Sequence, residues 1–327
     1  MSLEVVIRAI FSSLFLASVI RISSPIIFPA LGGLIAISSG ASNIALEGMM
    51  NMGAFVGVIV SAFTGNVWFA VLCGVIAGAL VALLMAFFYV RFNTDLMLAG
   101  LAINLLCSGG TVFLLYAFTG DKGNSSSIVS LAVPNIDIPF IKDIPFLGEV
   151  LSGHPVFTYL AFFLAWAVYM FLYRTRFGTH LRAVGENPTA ATSLGINVDK
   201  VQTIALAISG ALAALGGMNL SMAYLRLFNR EMAAGRGFIG IAAVWLGAKK
   251  PLGTLLAAIL FGFSDAMANQ LGSLNIPSQL VQSIPYLTTI IALVVYAIQQ
   301  KRATIERMKK YQQQNDKDAL SELSAAE

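Results

Sequence analysis

The chain of 327 residues is 57% hydrophobic and only 11% charged, with a mean hydropathy of +0.81 and a formal net charge of +4. Soluble domains carry about 25% charged residues, so a water-soluble core could not absorb this much apolar surface. The composition excludes an ordinary soluble enzyme or binding module, and it predicts an all-α protein that crosses a membrane many times. The basic residues are spread over loops and the C-terminal segment, which argues against a nucleic-acid partner.

Ten apolar segments are candidates for membrane-spanning helices, each of which needs about 20 residues. In chain order they are 4–20, 24–40, 44–62, 67–90, 95–119, 155–173, 201–223, 236–248, 251–270 and 285–300. The shortest, 236–248, is interpreted as a half-helix or as a helix that extends back to Met232. The first segment lacks a small-residue cleavage site, so we interpret it as a retained span. We therefore predict a membrane domain over 1–300 and a polar tail over 301–327.

The distribution of charge orients this predicted bundle, because cytoplasmic loops collect Lys and Arg. Ten spans place both termini on one side, and that side receives 14 of the 20 Lys and Arg residues. The loop 174–200 supplies four of them. The loop 120–154, on the other side, carries four acidic residues against two lysines. We predict that both termini and the loop 174–200 are cytoplasmic.

A short motif in this loop, GENPTAATSLG, has the signals of a small capped helix. Asn187 suits the N-cap and Pro188 suits the first helical position. Gly195 supplies a left-handed residue that ends the helix. A helix this short is not stable alone in water, so we expect another part of the assembly to hold it. The motif consists of Gly185, Glu186, Asn187, Pro188, Ala190, Ala191, Leu194 and Gly195.

Two regions of the sequence resemble each other. NIALEGMMNMGAFVGVI (43–59) is similar to FNREMAAGRGFIGIAAV (228–244), and 95–106 aligns loosely with 278–290. The similarity pairs spans 2–5 with spans 7–10. An offset of five crossings would invert the second copy in the membrane, and inverted repeats are characteristic of transporters.

Six of the polar side chains inside the predicted spans are candidates for a substrate pathway. They are Glu47, Asn51, Asn104, Asn219, Asp265 and Asn269. Polar and ionisable groups at membrane depth are costly and usually face the interior of the bundle, so we predict that these six line a substrate pathway. The alternative is structural: the amides join helices by hydrogen bonds, and Glu47 caps the irregular backbone around 38–40.

Four stretches carry a resemblance to a known family. They are SSGASNIALEGMMNMGAFVG, RFGTHLRAVGENPTAATSLGINVDK, AAGRGFIGIAAVWLGAKKPLGTLLAAILFGFSDAM and IPYLTTIIALVV. They resemble permease subunits of bacterial ABC importers of the branched-chain amino acid/ribose class, in particular the nucleoside and simple-sugar permeases. The similarity covers nearly the whole chain. Its length and its GENP form resemble the shorter of two unequal permease subunits.

The resemblance implies ten spans in the bacterial cell membrane and a pore between two permease subunits, with two cytoplasmic ABC ATPase subunits and an extracellular substrate-binding lipoprotein as partners. It implies that 187–194 is a coupling helix that docks on the ATPase. ATP would be used by that partner, and this chain would bind no cofactor. The implied function is import of nucleosides or related sugar-containing solutes.

Other functions are weighed against this one. A secondary transporter driven by an ion gradient is the main alternative, with Glu47 and Asp265 as ion or proton sites. The sequence contains no GxxxxGK[ST] loop, and its two histidines lack metal-ligand spacing, so neither a catalytic nor a metal site is predicted. Tyr224 and Phe228 are candidates for stacking on a nucleobase, or for the aromatic belt at the membrane interface.

Overall fold

The computed structural model describes residues 12–139 and 146–272, with isolated positions between 283 and 305. Its helices are α1 Ser13–Ser38, α2 Leu46–Thr64, α3 Val67–Phe92, α4 Leu96–Thr119, α5 Leu147–Leu151, α6 Val156–Arg174, α7 Arg176–Glu186, α8 Pro188–Ser193, α9 Val198–Met218, α10 Arg236–Leu246 and α11 Pro251–Leu271. A π-helix, Asn219–Leu225, continues α9. Two short strands, β1 Asn135–Ile136 and β2 His154–Pro155, pair antiparallel.

Seven of these helices are long and apolar enough to cross a membrane, within the part of the chain that the structure describes. They are α1, α2, α3, α4, α6, α9 with its π-helical extension, and α11. The shorter α10 has 11 residues, in agreement with the interpretation of 236–248 as a half-helix. The prediction of a multi-pass helical protein is confirmed. More than half of the predicted span 285–300 and almost all of the tail 301–327 lie outside the described residues, so a total of about ten spans and an inverted repeat stay predictions.

The predicted break between spans 4–20 and 24–40 is wrong, because 13–38 form one continuous helix. Arg21 and the serines after it suggested a loop. In the structure, the hydroxyls of Ser23 and Ser24 donate to main-chain carbonyl oxygens of the preceding turn, at 2.7 and 2.9 Å. The guanidinium of Arg21 lies 5.8 Å from the centre of the Tyr224 ring. These polar groups find partners within the bundle, so α1 continues through them.

The centre of the bundle is α1 packed antiparallel against α9. The Arg21–Tyr224 contact marks one end of this pair, and at the other end the Gln202 side chain donates to the carbonyl oxygen of Ser39 at 3.2 Å. Between them, a Cβ on Gly32 would lie 2.6 Å from the carbonyl oxygen of Ser209. Small residues let helices approach this closely, which is the main source of helix association in lipid.

The two ends of the bundle differ in charge. One end, here called the α7–α8 end, contains α7, α8, the end of α1 and the turn before α11, and it carries Arg91, Arg174, Arg176, Arg182, Lys200, Lys249 and Lys250. The opposite end contains the segment between α4 and α6. There Ser13 contacts Glu149 of α5, so the described chain begins at the end opposite α7 and α8. The prediction that the N-terminus lies on the α7–α8 side therefore gains no support, and residues 1–11 lie outside the described part.

Candidate functional site

Glu47 of α2 caps the start of α10 inside the bundle. Its two carboxylate oxygens accept hydrogen bonds from the main-chain N–H groups of Gly235 and Gly237, at 2.7 and 2.8 Å. The first N–H groups of a helix have no partner within it and form the positive end of the helix dipole, so a carboxylate is favourable there. Residue 235 itself is a glycine in a left-handed conformation (φ +83°) and supplies no side-chain cap. Glu47 was expected to line the pathway or to cap 38–40. In the structure its carboxylate caps the start of α10, and its place on the pathway stays a prediction.

Asn51 supports the same segment one turn further along α2. Its side-chain oxygen accepts from the main-chain N–H of Ala233 at 3.2 Å, and its side chain is buried. Together, Glu47 and Asn51 hold the backbone of 233–237 against α2. This arrangement favours the structural alternative for Asn51.

Asn104 of α4 holds the start of α2. Its oxygen accepts from the main-chain N–H of Gly48 at 2.7 Å, and its amide nitrogen donates to the carbonyl oxygen of Ile44 at 3.0 Å. Both ends of the side chain are therefore engaged by main chain. Asn104 positions α2, which in turn positions Glu47.

Asn219 begins the π-helix and is completely buried. Its nitrogen donates to the hydroxyl of Ser24 at 2.8 Å, and that hydroxyl lies 3.5 Å from the hydroxyl of Thr158. Among the described residues, its oxygen has no hydrogen-bond partner. π-Helical turns within α-helices occur frequently at functional sites. Asn219 thus joins α1 and α6 to the π-helix and keeps one acceptor free.

Asp265 and Asn269 lie one turn apart on α11, near the start of α10. Asp265 forms an ion pair with Arg236 at 3.2 Å, in which each side chain is 23% exposed. Asn269 lines a cavity of about 320 Å³ together with Arg21, Tyr224 and Arg236. The sequence analysis does not predict the pairing of Arg236 with Asp265. Only the opposite charges and the flanking glycines hinted at it.

Phe228 does not contribute to this cavity. Its side chain is fully buried, and its ring packs edge-on against Phe55 with the ring centres 5.5 Å apart. It is therefore a core residue, and the prediction that it could stack on a solute is wrong. Tyr224 does line the cavity. No group of three or more His, Cys, Asp or Glu side chains that could hold a metal ion occurs in the described ranges.

The GENP motif forms a capped helix at the α7–α8 end. Asn187 accepts from the N–H of Ala190 at 3.0 Å, and Pro188 occupies the first turn. At the other end, Gly195 has φ +80°, and the N–H groups of residues 195 and 196 donate to the carbonyl oxygens of Thr192 and Ala191 at 2.9 and 3.1 Å. This is the Schellman pattern. The predicted helix is confirmed, but Gly185 and Glu186 belong to the preceding helix, α7.

This helix pair has one attached side and one exposed side. Ala191 is buried, whereas the Leu194 side chain is 80% exposed. On the attached side, a Cβ built on Gly185 would overlap the carbonyl oxygen of Ser38, and Gly40 turns the chain there with φ +81°. The α7–α8 pair therefore touches the end of α1 directly, as well as the helices α6 and α9 that flank it in sequence.

Comparison with known proteins agrees with this architecture. Residues 15–295 match a family model described as "Branched-chain amino acid transport system / permease component". The chain is 36% identical over 293 residues to the guanosine ABC transporter permease protein NupQ of Bacillus subtilis, which covers 86% of this chain and 91% of NupQ. It is 33% identical over 294 residues to the nucleoside ABC transporter permease protein NupC of Lactococcus lactis, with 86% and 92% covered.

A solved structure supports the fold. PsaBC from Streptococcus pneumoniae, in complex with Fab, aligns with a TM-score of 0.51 at 11% identity over 90% of this chain and 95% of the PsaBC chain. The family match covers most of the chain, and it does not favour a transporter driven by an ion gradient. The chain is therefore a multi-pass membrane transport subunit, not an enzyme, and it belongs to the family of ABC importer permeases of the branched-chain amino acid/ribose class.

Proposed function

We propose that this chain is a permease subunit of an ATP-driven importer for nucleosides or related sugar-containing solutes. The observation that carries the proposal is its similarity, across 86% of its length, to relatives named for guanosine and for nucleosides. The proposed partners are a second permease subunit, cytoplasmic ABC ATPases and an extracellular substrate-binding lipoprotein. ATP binds to the ATPases, and this chain itself carries no cofactor.

The α7–α8 end is the proposed cytoplasmic face. It carries the excess of Lys and Arg that cytoplasmic loops collect. In this orientation α8 is the coupling helix, and the exposed Leu194 at its end and Glu186 of α7 contact the ATPase. The predicted span 285–300, which follows α11, would return the chain to this face and place the C-terminal tail there.

The contact between Gly185 and Ser38 gives the coupling helix a direct route into the bundle. When the ATPases close around ATP, displacement of α8 moves α7 and therefore the end of α1. This favours one of two pore conformations, because the ATPase contacts them differently. The route continues from α1 through the chain to α2, whose Glu47 holds α10.

The proposed substrate pathway passes the polar side chains of this region. Arg236, which is paired with Asp265, and Asn269 supply polar groups at the cavity. Asn219 lies in the neighbouring π-helix, and its side-chain oxygen has no hydrogen-bond partner among the described residues. Glu47, Asn51 and Asn104 act as positioning residues, because their polar atoms are engaged by main chain.

The experiment that tests the proposal is uptake of labelled guanosine and of a labelled pentose by proteoliposomes that contain the full importer. We expect uptake that requires ATP, resists ionophores and favours the nucleoside. With the double variant Glu186→Lys/Leu194→Arg, the importer should hydrolyse ATP without uptake. Lys200→Gln, which changes an exposed residue at the same end, should leave transport normal.

Two outcomes would contradict the proposal. Uptake that an ionophore abolishes and that ignores ATP would assign the chain to gradient-driven transport. Normal uptake by the Glu186→Lys/Leu194→Arg variant would show that α8 is not the coupling helix.

A further inference from the structure

A cationic groove lies at the α7–α8 end, beside the contact between Gly185 and Ser38. Its volume is about 420 Å³, and it runs between the ends of α1 and α6, the helix α7 and the turn before α11. Its polar walls include Arg182 and Lys249, with Glu186 at one edge. Among the described residues, no carboxylate lies within 4.0 Å of either cation. The groove therefore carries a net positive charge and two cations without an ionic partner in that part of the chain.

Aromatic rings hold both cations in place. The guanidinium carbon of Arg182 lies 4.8 Å from the centre of the Tyr173 ring, and the Lys249 ammonium lies 4.5 Å from that of Trp245. Both rings remain partly exposed. Tyr and Trp are enriched at the level of the lipid headgroups, so the two cations lie where a headgroup phosphate would be.

The backbone at Lys249 is strained. Ala248 and Lys249 have left-handed φ angles of +55° and +57°, which are unfavourable for residues with a Cβ. The N–H of Lys249 donates to the carbonyl oxygen of Val244 at 2.9 Å, which holds this turn. This turn follows α10 and precedes α11, and its Lys249 lines the groove.

A second cavity, apolar and about 390 Å³ in volume, lies between α6 and α11. Its walls include Phe162, Trp166, Tyr169 and Leu252. Tyr169 packs against Tyr173 of the groove with the ring centres 5.3 Å apart, and Leu252 is three residues from Lys249, so the two cavities lie next to each other. Trp166 and Leu252 are 58% and 66% exposed, so the apolar cavity opens to the outside of the bundle.

We infer that the two cavities form one binding site for an anionic phospholipid. The phosphate binds Arg182 and Lys249, and an acyl chain occupies the cavity between α6 and α11. Basic pockets between membrane helices bind anionic headgroups in this way. A free anion would leave the apolar cavity empty, so this cavity favours a lipid as the ligand. The site requires only that this end of the bundle reach a headgroup layer, so it does not depend on the transported solute.

The site also adjoins the attachment of the helix pair. Gly185 and Ser38, which form the contact between α7 and α1, line the same groove. A bound headgroup therefore bridges α6, α7 and the turn before α11 across this contact, and stabilises the docked position of α7.

Native mass spectrometry of the purified full chain in detergent tests the inference. The probes are 1-palmitoyl-2-oleoyl phosphatidylglycerol and the phosphatidylcholine with the same acyl chains. We expect the anionic lipid to be retained preferentially, and Arg182→Gln/Lys249→Gln to weaken its retention by about tenfold or more. Arg176→Gln/Lys200→Gln removes two charges from the same end but none from the groove, and should retain the lipid. Trp166→Ala should weaken retention through the acyl chain.

Four results would overturn the inference. They are equal retention of the two lipids, equal losses in the two double variants, displacement of phosphatidylglycerol by millimolar inorganic phosphate, and its displacement by the ATPase subunit. If the groove variant does not purify as a monodisperse protein, hydrogen exchange of the wild-type chain decides. Phosphatidylglycerol, but not phosphatidylcholine, should slow exchange in 172–186 and 247–255. Unchanged exchange would also overturn the inference.

Discussion

Two short helices, α8 and α10, begin in opposite ways. The first turn of α8 is capped by Asn187, the residue directly before it, and its end is closed by Gly195. The first turn of α10 has no cap of its own. It depends on Glu47, which precedes its partners Gly235 and Gly237 by 188 and 190 residues in the chain. The helix α8 is therefore a local unit at the surface, whereas α10 exists as part of the packed bundle.

This difference suits the two proposed roles. A coupling helix has to move as a rigid body, and a locally capped helix keeps its shape when it moves. The half-helix α10 lies beside the proposed pathway and has to keep its position relative to α2 and α11. The cap from α2 holds α10 in this position, and the ion pair between Arg236 and Asp265 connects it to α11.

Removal of the Glu47 cap on α10 is expected to have the largest effect. Glu47→Ala leaves two interior N–H groups without an acceptor, and we expect it to lower the free energy of unfolding by about 3 kcal/mol. Glu47→Gln keeps one acceptor oxygen and should lose less. The measurement is thermal unfolding of the purified chain in detergent, followed by tryptophan fluorescence.

The control for the Glu47 variants is Asp199→Ala, which removes an exposed acidic side chain from the first turn of α9. It should change stability little. If Glu47→Ala abolishes uptake but leaves unfolding unchanged, Glu47 belongs to the substrate pathway and the comparison of the two helices fails.

The attachment of α7 and α8 provides the intermediate effect. In Gly185→Ala the new Cβ overlaps the carbonyl oxygen of Ser38 and separates α7 from α1. Overpacking of this kind costs about 1–3 kcal/mol, so we expect uptake per ATP hydrolysed to fall about tenfold. Coupled ATPase and uptake assays measure this ratio.

Gly110→Ala is the matched control, because no atom lies within 4 Å of a Cβ built at that position of α4. It should leave the ratio unchanged. A normal ratio in Gly185→Ala would show that displacement of α8 reaches the pore without passing through α1.

The local cap provides the smallest effect. Asn187→Ala removes one capping hydrogen bond, which is worth about 1 kcal/mol, so the amide of Ala190 should exchange about fivefold faster. Global unfolding should not change measurably. Hydrogen exchange read by mass spectrometry detects this, and Asn187→Asp, which keeps an acceptor oxygen, should exchange like the wild type. Unchanged exchange in Asn187→Ala would mean that packing of Ala191 holds α8.

Hydropathy predicted most of the membrane-spanning helices well, because burial in lipid depends on the composition of each segment. The predicted spans 95–119 and 251–270 differ from α4 and α11 by a single residue at one end. The same rule failed at 21–24, where polar residues suggested a break in what is a continuous helix. Their hydroxyl groups bond to the preceding turn, which a hydropathy average does not register.

The candidate site also has one part that the local sequence predicts and one part that it does not. From the sequence alone, Asn187, Pro188 and Gly195 determined α8, because caps act over three or four residues. The choice of polar residues within the spans was also made from the sequence, since any buried polar group needs a partner.

Which partner each group took was decided only by the tertiary structure. The bonds from Glu47 to α10, from Asn104 to α2 and from Arg236 to Asp265 join residues that are 29 to 190 positions apart. Nothing in the local sequence encodes these distances, because they depend on how small residues let whole helices pack.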